Sequence, residues 1–149
     1  MTNTQDIANA FAEQMKRGPE SLKDASGRPA SIEVALSEDS MVELGTNPHS
    51  GFFLRLRVRL DQIADALREA LMADLISLSA ASRFGTGWIG GCEPGNTVTL
   101  AVSLDATADT RAIAALIQKG KSILSPNHPG ERQMAIAESL PVGESWLRI

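Results

Sequence analysis

The sequence holds one cysteine, two histidines, two tryptophans, four phenylalanines and no tyrosine in 149 residues. Cys92 has no second cysteine for an intrachain disulfide, and with only His49 and His128 beside it a metal centre is not expected. The aromatic shortage leaves few platforms for stacking bases or sugars. Positive charge is also the minority, 14 Lys and Arg against 18 Asp and Glu, giving a formal net charge of -4. A nonspecific nucleic-acid surface is therefore not expected. Long apolar runs are missing as well: the richest stretch is broken by Arg68, Glu69 and Asp74, far short of the roughly 18 residues a membrane helix needs. Met1 to Ala10 carries no basic region followed by an apolar run and a small-residue cleavage site, so cytoplasmic residence is the expectation. What remains, 43% hydrophobic and 21% charged, has the composition of one compact domain spanning residues 1–149.

The apolar residues that are present change period along the chain. Ile7, Phe11 and Met15 recur every fourth residue after Asn3-Thr4 and stop at Gly18-Pro19, which predicts a capped amphipathic helix. Residues 20–30 show no period and read as a connecting loop. From Ser31 the period is two: Ile32, Val34 and Leu36 form one strand, Met41 to Leu44 a shorter one, and Gly45 to Gly51 a turn around Asn47-Pro48. Phe52, Leu54, Leu56, Val58 and Leu60 then alternate with Phe53, Arg55, Arg57 and Arg59, the clearest strand signal in the chain.

Asp61 is placed to cap a helix from Gln62 to about Ser82, about 30 Å long at 1.5 Å per residue, with Ile63, Leu67, Leu71, Leu75 and Leu78 on one stripe. After Leu71, Met72, Ala73, Ile76, Ala80 and Ala81 carry apolar character to other faces of this helix. In so short a chain a second copy of the protein is a natural cover for these faces, and Met72, Leu75, Ile76 and Ser79 are the candidate dimer interface. Glycine-rich Gly85 to Gly91 leads through Trp88-Ile89 and a Glu93-to-Asn96 turn into Thr97 to Leu104, a hairpin. Asp105 or Thr107 then opens a last helix, with Asp109 in its first turn and Lys119 and Lys121 near its end, stopping at Ser125-Pro126. The fold expected is α+β: helix, three-strand antiparallel meander, long helix, two-strand hairpin, helix, and a C-terminal tail over residues 125–149, with a short helix from Glu131 to Ser139 and no assignment for Ser145 to Ile149.

Few residues carry chemistry. Gly85-Thr86-Gly87-Trp88-Ile89-Gly90 matches G-x-G-x-x-G, but it follows a helix and enters a hairpin, the reverse of the strand-to-helix order that places a pyrophosphate on a helix N-terminus. No nucleotide, metal or other cofactor is expected. Arg55, Arg57 and Arg59 share a strand face with Phe53. Glu33 and Glu43 on the neighbouring strands would pair with them across the sheet, and an acidic peptide is the alternative partner. Phe11 and Met15, with Phe53 and the three arginines, are the candidate partner-binding residues, since exposed apolar side chains can form grooves for extended peptides.

The order of elements from the Ile7-to-Met15 helix to the Arg111-to-Leu124 helix resembles the type III secretion chaperone family, with its Tir-chaperone-like fold. Ile7-Ala8-Asn9-Ala10-Phe11-Ala12 looks like the first helix of that family, and Thr97-Val98-Thr99-Leu100-Ala101-Val102-Ser103-Leu104-Asp105 like its last strand. The resemblance is topological and covers Thr4 to Leu124; the tail, the loop over residues 20–30 and the long second helix depart from it. It implies a homodimer whose second helix helps form the interface, and which holds the N-terminal part of a secreted effector in extended form, without ATP and without catalysis. Two other readings fit the element order: a small hot-dog-like acyl thioesterase using Asp65 or Glu69, and a structural subunit of a secretion or phage-like assembly.

Overall fold

The computed structural model describes residues 3–47, 51–61, 63–81, 87–105 and 107–125, with isolated positions at 130, 133, 134 and 137. His49, His128 and nearly all of the tail lie outside the described residues, as does most of the expected Glu131-to-Ser139 helix. The chain is α+β: α1 (Thr4–Lys16), β1 (Ile32–Ala35), β2 (Ser40–Asn47), β3 (Gly51–Arg59), α2 (Asp65–Ala81), β4 (Ile89–Glu93), β5 (Thr97–Leu104) and α3 (Thr110–Ile123). The five strands form one sheet in the order β1-β2-β3-β5-β4, antiparallel throughout. The sharp β3 alternation explains its central place. Phe52, Leu54 and Leu56 are at most 1% exposed, and each faces an apolar residue of β5: Leu104, Val102 and Leu100. These side chains, with Val42 and Leu44 of β2, form the floor of a single core, which is completed by the apolar faces of the three helices.

Each helix reaches this floor through a different sequence device. In α1 the fourfold spacing buries Ile7, Ala8, Phe11, Ala12 and Met15, and the Asn3 side chain accepts the Asp6 amide at 2.8 Å to cap the first turn. In α3, Gly120 lets the helix approach β3 and Trp88, just before β4: a Cβ there would lie 3.0 Å from Leu56 and 3.4 Å from the ring of Trp88. The cap of α3 is Asp109, whose carboxylate accepts the Ala112 amide at 2.8 Å, rather than Asp105 or Thr107. Asp105 instead closes a local turn by accepting the Thr107 amide and hydroxyl, which hold its carboxyl below the ordinary range. Asp109→Ala is expected to cost about 1 kcal/mol, the usual worth of an N-cap, with faster hydrogen exchange at Ala112 and an earlier midpoint in urea unfolding as the readouts.

Two expected boundaries move, and one expected loop is ordered. α2 begins at Asp65, because Asp61 sits in a turn closed by the Ile63 amide on the Leu60 carbonyl and does not cap the helix. Gln62 and Ser82, the expected helix ends, lie outside the described residues. β2 runs on through Gly45 and Thr46 to Asn47, where a turn was expected, since Gly45 faces Phe53 and Thr46 faces Phe52 in continuous pairing. The loop over residues 20–30 has internal structure: a short 3-10 turn at Pro19–Ser21, buried Leu22, a Lys23–Pro29 bridge, and an Asp24 carboxylate that accepts from the Ser26 amide, the Ser26 hydroxyl and the Arg28 amide. An aperiodic sequence can still be ordered by one well-placed aspartate.

Candidate functional site

Two surfaces gather the candidate residues. The first is the sheet face opposite the helices, where odd-numbered β3 residues meet odd-numbered residues of the neighbouring strands. Gly45 of β2 stands opposite Phe53, and the phenyl ring lies directly over it: a Cβ at Gly45 would fall 2.3 Å from Phe53 Cζ. The Arg55 guanidinium sits over the same ring, 4.8 Å from its centroid. Arg55 then donates to Glu43 at 3.1 Å. Arg57 Nη1 lies 3.3 Å from both Glu43 and Glu33, while its Nε donates to Glu93 at 3.1 Å. One guanidinium therefore ties together residues of β1, β2 and β4 across the width of the sheet.

The cross-strand pairing expected from Glu33 and Glu43 is what the face contains, and Glu93 extends it. Glu43 is 6% exposed although it lies on the open face, because Arg55 and Arg57 cover it. Burial opposes the charge of Arg57, but the hydrogen bond it donates to Glu93 and the fields of Glu43, Glu93 and Glu33 outweigh it and raise its pKa above the ordinary value. Arg59 pairs with Asp39 at 3.5 Å and reaches the Glu38 carbonyl, both in solvent. All three arginines thus already hold carboxylates of the same chain.

The second surface is the seam between α2 and β4. Leu75 is buried against Gly90, where a Cβ would lie 3.0 Å from Leu75 Cβ and 3.3 Å from its carbonyl oxygen, so a larger residue would push the helix back by a few tenths of an ångström. Ser79 accepts the Gly90 amide at 2.7 Å, and its hydroxyl lies 3.3 Å from the Gly90 carbonyl oxygen. The Gly90 groups turned away from β5 at this sheet edge are therefore taken by α2, which blunts an edge that could otherwise pair with another chain. Ser79→Ala removes both partners. The expected result is a loss of about 1–2 kcal/mol and selective acceleration of hydrogen exchange at Gly90, measured by exchange mass spectrometry.

Around this seam the surface is apolar. Ile76 is 68% exposed on α2, and a groove of about 170 Å³ is lined by Met72, Leu75, Ile76, Ser79, Gly90, Gly91 and Cys92; Ile89, 59% exposed on β4, stands on the other sheet face, in register with Ala101 and Arg55. The Cys92 thiol lies 3.4 Å from the Met72 sulfur. The four candidate interface residues are thus brought to one place, but with different parts: Leu75 and Ser79 fasten α2 to β4, Met72 is half-buried against the core, and Ile76 faces outward.

The other candidates separate. Phe11 is 0% exposed and Met15 is 6% exposed; both belong to the core, so neither is available to a peptide groove. Their fourfold spacing is spent on packing α1 against the rest of the fold. The Asp65 side chain is 90% exposed beside Arg68, and Glu69 is exposed. Ile89, Glu93 and Asp39 carry no sequence motif that marks them. The period of two around Trp88 carried the signal for Ile89: with Trp88 and Gly90 facing inward, Ile89 must face out. No family model, no curated protein and no solved structure matches this chain.

Proposed function

We propose that this chain is a non-catalytic cytoplasmic export chaperone or adaptor that works as a homodimer through α2 and β4 and holds a secreted partner protein. The observation that carries the reading is the uncharged groove between α2 and β4, where Ile76 is 68% exposed beside Met72, Gly91 and Cys92 and, among the described residues, no charged one joins the lining. An isologous contact places a surface against its own copy, and a patch without charge does so without burying like charges. The order of strands and helices, a meander followed by helix, hairpin and helix, supports the resemblance to type III secretion chaperones on which the client assignment rests. The exposure of Asp65 and Glu69 on α2 weighs against the thioesterase reading, which needs a carboxylate sheltered beside bound substrate.

Light scattering on the purified protein is expected to give twice the chain mass of 15.9 kDa. Ile76→Asp introduces a charge into the seam and is expected to weaken the dimer at least about 100-fold, with an unchanged circular dichroism spectrum because Ile76 is outside the core. A wild-type protein that stays monomeric at all concentrations overturns the dimer. Affinity purification from the native cytoplasm tests the client: a secreted protein recovered in a fixed ratio to the dimer is expected, and recovery of no secreted partner overturns that part.

A further inference from the structure

We draw no further inference here: the strongest candidate, the cleft of about 410 Å³ on the open sheet face where Arg57 and Arg59 meet Glu38, Asp39 and Glu93 over Ala35 and Met41, has arginines already paired with carboxylates of the same chain, and nothing in the structure shows what would cover it.

Discussion

Phe11→Ala is expected to destabilise the fold by about 3–5 kcal/mol, the range for truncating a fully buried phenylalanine. Phe11 is 0% exposed in the same core as Ile7, Leu54, Leu100 and Ile113. Removing its ring both forfeits burial and leaves a void that the antiparallel pair α1 and α3, anchored over the sheet, can close only in part. With a typical domain stability of about 5–15 kcal/mol, such a loss endangers the native state at physiological temperature. Urea unfolding followed by far-ultraviolet circular dichroism gives the number. Phe11→Leu, which keeps most of the apolar volume, is expected to recover all but about 1–2 kcal/mol. A partner-binding phenylalanine behaves in the opposite way: its alanine variant would unfold within about 0.5 kcal/mol of the wild type and lose only its partner. That outcome would remove Phe11 from the core and return it to the surface.

The contrast shows what an apolar stripe can and cannot say. The spacing of Ile7, Phe11 and Met15 identifies a helix and its apolar face, but nothing local to residues 4–16 says whether that face meets the same chain or another one. The answer lies about 100 residues away, in α3, whose Ile113 and Ile117 share the same core. For β3 the sequence said more, because strict alternation over nine residues fixes both faces at once, and the arginines on one face could be matched to Glu33 and Glu43 on adjacent strands. Glu93 escaped notice because β4 is not adjacent to β3: β5 lies between them, and an arginine side chain spans the gap. On α2 the four candidate interface residues lie at one seam with different parts in it. Leu75 and Ser79 could be read as interface because only the structure shows Gly90 lying beneath them. The start of α2 shifted for a local reason, the turn at Leu60 to Ile63, which competes with the cap that Asp61 could have supplied.

Arg57→Met is expected to be the most damaging change on the open face, costing about 1–3 kcal/mol. The bound is set by exposure. Glu43 is nearly buried, so leaving it with Arg55 as its one remaining cationic partner among the described residues carries part of the penalty of an uncompensated internal charge. Glu33 and Glu93 are 46% and 41% exposed, so water screens the rest. Arg57→Lys is expected to recover little. Arginine addresses Glu93 through Nε and the Glu33 and Glu43 pair through Nη1, two directions that a single ammonium cannot serve together. Pairing Arg57→Met with Glu43→Leu removes both charges and leaves no buried carboxylate behind, so the double variant is expected to be more stable than Arg57→Met alone, with a coupling of about 1 kcal/mol or more in a double-mutant cycle. Arg59 supplies the control. It is 57% exposed and its pair with Asp39 is 3.5 Å long in solvent, so Arg59→Met is expected to stay within about 0.5 kcal/mol of the wild type. Equal losses for Arg57→Met and Arg59→Met in urea unfolding would mean that the cross-sheet clamp contributes nothing beyond ordinary surface charge.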